Sequence, residues 1–123
     1  MAVCEKISRF TLFMAGIIGA TGIGLAAAAN HLEDPRTFSA AATVCLANAP
    51  ALLALSALRN TLRAAPLAAL VITLGVVIFT GDLLLRHFYG MRLFPLAAPT
   101  GGITLIIGWL IIAASALLPK PQA

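Results

Sequence analysis

Four apolar runs, at residues 10–29, 38–58, 65–85 and 96–118, take up most of this 123-residue chain, and Asp82 is the one charge inside any of them. At about 1.5 Å per helical residue, a run of some twenty residues crosses the roughly 30 Å hydrocarbon core of a bilayer. The composition agrees, with 61% of residues hydrophobic and 10% charged. A soluble domain carries about a quarter charged residues, so this chain lacks the polar surface to coat a water-soluble globule of its size. That excludes a soluble enzyme domain. Disorder, which needs low hydrophobicity and high net charge, is excluded as well. The runs are continuously apolar rather than alternating, so they read as helices and not as strands of a membrane barrel.

The connections at 31–37, 59–64 and 86–95 are short. Short links favour antiparallel neighbours, which predicts an all-α, up-down-up-down bundle of four transmembrane helices in a single domain over residues 1–123. Eight Lys and Arg against four Asp and Glu give a net charge of +4. These cations fall in ones and twos between the spans, the pattern of membrane-protein loops and not of a nucleic-acid face. With the N-terminus inside, Lys6, Arg9, Arg59, Arg63 and Lys120 face the cytoplasm, and Arg36, Arg86 and Arg92 face outward. The bias predicts both termini in the cytoplasm; the outward acids Glu33, Asp34 and Asp82 weigh little in this rule. The first span is longer than a signal-peptide core and contains glycines suited to helix packing, so it is expected to remain in the mature protein. Cys4 and Cys45 form no C-x-x-C and no zinc spacing. No disulfide framework, metal or other cofactor is expected.

In lipid, helices associate through close approach of small residues. Gly16, Ala20, Gly24 and Ala28 recur every four residues along the first span, and Gly101, Thr104, Gly108 and Ser115 line one side of the fourth, beside Gly102. Both faces are expected to pack inside the bundle; the alternative is a dimer or partner interface. In the second span Asn48 and Pro50 fall near the midplane, with Asn48 on one face with Cys45 and Ala41. Pro50 predicts a kink. A buried amide predicts an interhelical hydrogen bond or, more sharply, the polar lining of a substrate path.

Asp82 lies about one turn from the end of the third span, with Arg86 four residues on as an ion-pair partner. The plain reading is an anchoring ion pair. A sharper one gathers His31, at the end of the first span, Asp82, Arg86 and Thr100, in the glycine-rich start of the fourth, into one polar cluster able to handle a proton or a small anion. No nucleophile elbow, phosphate loop or zinc spacing accompanies it.

These residues carry a family resemblance. Pro99-Thr100-Gly101-Gly102, five residues, then Gly108-Trp109 is similar to the T-P-x-G-G-x(5)-G-W opening of the fourth span in the domain of unknown function 423 family, the YgdD-like small bacterial inner-membrane proteins, with Ala98 in place of the first Thr. Phe79-Thr80-Gly81-Asp82 resembles that family's F-S-G-S, and His31-Leu32 the end of its first span. The resemblance covers residues 8–118 and implies a four-span bundle in the bacterial inner membrane, but no activity. This chain departs from the family pattern at Pro50, which stands where the family has a histidine, and at Ala26 to Asn30, which replace glycines.

The function expected is that of a small, non-catalytic accessory or interaction subunit of a larger membrane complex. The alternative is a small transporter or channel acting as a homo-oligomer, resting on Asp82, Asn48 and Pro50. A third reading, an enzyme acting on a lipid or quinone, has only His31 and Asp82 as an acid/base pair.

Overall fold

The computed structural model describes residues 2–32 and 35–120, without the side chains of Ala2 and Cys4; Glu33 and Asp34, counted above among the outward acids, lie outside the described residues. Four helices follow in order: α1 (Ala2–Ala29), α2 (Pro35–Ala57), α3 (Ala65–Tyr89) and α4 (Ala97–Ser115). Each is long and apolar enough to cross a membrane. The protein is therefore an all-α membrane bundle.

Local chemistry sets the helix ends. Pro35 opens α2 and Pro66 sits in the first turn of α3, positions where a missing backbone N–H costs nothing. Gly90 ends α3 in the left-handed conformation (φ 64°), and its N–H donates to the carbonyl of Arg86. Leu96 starts α4 with the same left-handed φ of 64°. For a residue with a Cβ that conformation costs roughly 1–2 kcal/mol, so the packing of the α3–α4 connection must hold it there. α1 begins before the apolar run and carries Lys6 and Arg9 on its first turns. α3 continues past Arg86 and His87 to Tyr89, while α4 stops at Ser115, short of the end of its apolar run. α2 runs through Pro50 to Ala57 without interruption.

Successive helices are antiparallel, and paired residues show the register. Ser8 meets Ser56 while Gly19 and Gly22 meet Ala49 and Cys45 across α1 and α2. Phe38 meets His87 and Cys45 meets Thr80 across α2 and α3. Gly101 meets Phe79, Gly75 meets Leu105 and Gly108 meets Ile72 across α3 and α4. The helices stand in chain order: α1 packs along α2, α2 on α3, and α3 along α4, with a slighter contact of α1 on α3. α4 makes no close backbone approach to α1 or α2. The central α2 and α3 accordingly bury twice as much of their apolar length as the flanking α1 and α4. Phe38, Leu52, Ile72 and Val76 are the largest apolar side chains fully enclosed between them.

On α4, two glycines of the expected face lie against α3. Gly101 and Gly108 are buried against α3, and a methyl on Gly101 would sit 2.7 Å from the backbone nitrogen of Phe79. Gly102 faces open space, which corrects its assignment to helix packing. The face expected on α1 needs a larger correction. Gly16, Ala20 and Gly24 are exposed, with nothing within 4 Å of a Cβ built on either glycine, and only Ala28 of that series packs on the core. Gly19 and Gly22, on the neighbouring face, make the approach to α2 instead. The reason is steric: Gly22 admits Cys45 and Leu46 at distances that leave no space for a Cβ.

Gly101→Ala is expected to cost about 1–3 kcal/mol by forcing α4 off the α3 backbone. Gly102→Ala, into open space, is expected to be neutral or to stabilise by up to about 1 kcal/mol through helix propensity. Loss of helical circular dichroism in mixed micelles of increasing SDS fraction measures both; equal effects would contradict the close α3–α4 contact.

Candidate functional site

Most of the buried polar side chains inside the spans find partners within the chain, and these pairs sit at three levels. At the end of the bundle that carries the N-terminus, the hydroxyls of Ser8 and Ser56 lie 2.9 Å apart, and each also donates to the other residue's backbone carbonyl, at 3.0 and 2.9 Å. The Ser115 hydroxyl accepts from the backbone N–H of Ala64 at 3.3 Å, joining the start of α3 to the end of α4.

At the middle level, Asn48 is 5% exposed. Its amide NH₂ donates to the carbonyl of Val44 one turn back, at 2.7 Å, and its oxygen accepts from the Trp109 indole N–H at 3.0 Å. Helical side chains lean toward their own N-terminus, which carries the Trp109 indole up α4 and across to α2. That bond is the interhelical hydrogen bond expected of Asn48, and it joins two helices that otherwise stand apart. Cys45 lies beside Thr80, sulfur to hydroxyl 3.5 Å. Thr73, 7% exposed, differs: its hydroxyl, like Nε of Arg86, has no hydrogen-bond partner among the described residues.

The third level is the loop end, where α1 connects to α2 and α3 to α4. Asp82 is fully buried; one carboxylate oxygen pairs with the Arg86 guanidinium at 2.9 Å, and the other accepts the backbone N–H of Leu93 at 3.1 Å. The side chain of Arg86 is 37% exposed, so the pair has one wet side. This carboxylate is therefore a staple. It holds the α3–α4 connection down on the helix that precedes it, next to the left-handed Leu96.

Of the expected polar cluster, the structure brings together Asp82 and Arg86 alone. His31 is exposed just past α1, and Thr100 is exposed with its hydroxyl donating to the carbonyl of Leu96; neither bonds to Asp82 or Arg86. The four-residue cluster is thus corrected to an ion pair with a backbone N–H as its third member. The physical reason is that Asp82 has both oxygens engaged within its own helix and connection. The histidine near this level is His87, whose ring stacks edge-on against Phe38 at 4.6 Å and against Phe88 at 5.0 Å. Sequence reading missed Ser8, Ser56, Leu93 and Trp109. Both serines lie about two turns or less from a span end, and Trp109 was visible as half of the Gly-Trp motif; nothing in the sequence marks the Leu93 amide.

Arg86→Ala leaves a buried carboxylate without its counter-charge and is expected to cost about 1–3 kcal/mol. Asp82→Asn keeps an oxygen for the Leu93 N–H and frees an arginine that can turn toward water, so it is expected to cost less. The same SDS titration orders the two, and the reverse order would contradict the staple.

A family model described as Protein of unknown function (DUF423) matches residues 15–102, from the upper half of α1 to the first turn and a half of α4. The match includes His31, Pro50, the Phe79–Asp82 segment and Gly101-Gly102, and it ends before Gly108 and Trp109. Comparison with curated proteins and with solved structures returned no match. Four apolar helices of spanning length and a family match over more than half of its length make this chain a small integral membrane protein belonging to the DUF423 family.

Proposed function

We propose that this protein is a non-catalytic interaction subunit that docks against another membrane protein through α1. The observation that carries the reading is the contrast between its glycines. Gly19, Gly22, Gly75, Gly101 and Gly108 all meet a neighbouring helix of this chain, whereas Gly16 and Gly24, with Ala20 between them, meet nothing. A small-residue seam facing lipid has no packing role within its own chain, and such seams are where transmembrane helices approach each other closely. Beside the seam an apolar groove of about 350 Å³ runs between α1 and α2, walled by Leu12, Ile23, Leu46 and Leu53 with Gly16 and Pro50 at its edges. Seam and groove together offer a shape into which the side chains of a partner helix fit. The engagement of Asn48 and Asp82 by Trp109, Arg86 and Leu93 also favours this reading over the transporter, since those polar groups serve the bundle itself.

We propose the inner membrane as the location, from the resemblance to small bacterial inner-membrane proteins, with both termini on the cytoplasmic side, from the Lys and Arg distribution.

The test is native purification of the tagged protein in mild detergent, with mass analysis of the intact assembly. Gly16→Leu with Gly24→Leu is expected to release a partner recovered in fixed stoichiometry with the wild type, while leaving the SDS unfolding curve in place. Gly102→Leu is expected to release nothing. A partner retained at wild-type stoichiometry by the double variant would rule out α1 as the docking face, and recovery of a homo-oligomer alone would favour the transporter.

A further inference from the structure

On the other side of the bundle, α2 and α4 both pack on α3 and stand apart from each other. A second cleft of about 580 Å³ lies between α2 and α3, with its wall along α2 from Pro35 and Arg36 through Ser39, Ala40 and Thr43 to Val44 and with Phe79 of α3 as its floor; Gly101 of α4 packs on the backbone of that phenylalanine. Its size is that of a small-molecule site. One turn beyond Val44, the Trp109–Asn48 hydrogen bond crosses from α4 to α2 and marks the deep end. From Arg36 to Val44 the wall covers eight helical steps, about 12 Å at 1.5 Å per residue, so the cleft starts at the membrane surface and reaches well into the hydrocarbon.

The chemistry changes along that length. At the mouth stands Arg36, exposed, with no carboxylate pairing it among the described residues. One turn in, the Ser39 hydroxyl has no partner among the described residues; its backbone carbonyl takes the Thr43 hydroxyl at 2.9 Å. Below that the wall is Ala40 and Val44 over Phe79, and the Thr43 hydroxyl among them has its proton engaged by the Ser39 carbonyl. A cleft that is cationic and hydroxylic at the interface and apolar at depth matches a molecule with an anion at one end and a hydrocarbon chain at the other. Arginine suits a phosphate in particular, through its planar fork of donors.

We infer that this cleft holds one anionic phospholipid, with the headgroup phosphate on Arg36 and Ser39 and an acyl chain lying along α2 over Phe79. Basic pockets between transmembrane helices bind anionic lipid in this way. The lipid covers the face of α2 beside Phe79, on the side where α4 makes no close backbone approach to α2.

The test uses the full-length protein purified in detergent and titrated with phosphatidylglycerol or, separately, phosphatidylcholine, with bound lipids counted by native mass spectrometry. The wild type is expected to retain one phosphatidylglycerol in preference to phosphatidylcholine. Arg36→Ala is expected to weaken it by about fivefold, the weight of one membrane-adjacent cation. Ala40→Phe fills the cleft while keeping the arginine, and is expected to abolish the tight site. Arg92→Ala, which removes a cation from the same end but not from the cleft, is expected to bind as the wild type does. Equal retention of the two lipids by the wild type overturns the proposal, as does an Arg36→Ala protein, or a folded Ala40→Phe protein, that binds phosphatidylglycerol unchanged. So would an Arg92→Ala loss equal to that of Arg36→Ala, which would mean general attraction between charges.

Discussion

A polar group inside hydrocarbon has no water to turn to, and the architecture of this bundle follows from where most of its buried polar groups find their partners. Ser8 and Ser56 clasp α1 to α2; Cys45 and Thr80 meet between α2 and α3; Ser115 holds the start of α3; Trp109 and Asn48 tie α4 back to α2. Asp82 satisfies one oxygen with Arg86 and the other with the amide of the connection it must hold. Together these pairs fix the rotation of each helix, and rotation decides which glycines face protein and which face lipid.

Close packing supplies the rest of the stability. Without a hydrophobic drive between helices in lipid, contact depends on surfaces that allow backbones to approach. α3 and α4 achieve this with interleaved glycines, Gly75 receiving Leu105 while Gly101 and Gly108 receive Phe79 and Ile72. α1 and α2 achieve it with Gly19 and Gly22. The arrangement in chain order, instead of a closed square, leaves two concavities: the groove beside Gly16 on α1 and the cleft along α2 over Phe79 of α3. Each lies where a transmembrane partner or a lipid has access without displacing any part of the chain.

The spans, their number and their antiparallel order were legible because they depend on hydrophobic length and short connections, both of which are local properties. The Asp82–Arg86 pair was legible for the same reason, since four-residue spacing on a helix is enough to bring two side chains together. Helix rotation was not. Gly16-Ala20-Gly24 and Gly19-Gly22 are both small-residue patterns on α1, and choosing between them requires knowing that Cys45 and Leu46 of α2 arrive against Gly22. His31 and Thr100 failed as cluster members for a similar reason, because a shared level in the membrane does not bring residues on different helices to one point. The partner of Asn48 was foreseen only as some group on another helix; its identity as Trp109 depends on the lean of an indole along α4 and on the width of the gap to α2.

Trp109 and Asn48 are directly bonded, and this bond holds α4 in place across the gap to α2. A double-mutant cycle with Asn48→Ala and Trp109→Phe, read by SDS-induced unfolding, measures that interaction without the separate costs of losing each side chain. A coupling of about 0.5–1.5 kcal/mol is predicted, the range of interhelical hydrogen bonds in membranes. Strict additivity of the two substitutions would contradict the bond, and with it the position assigned to α4.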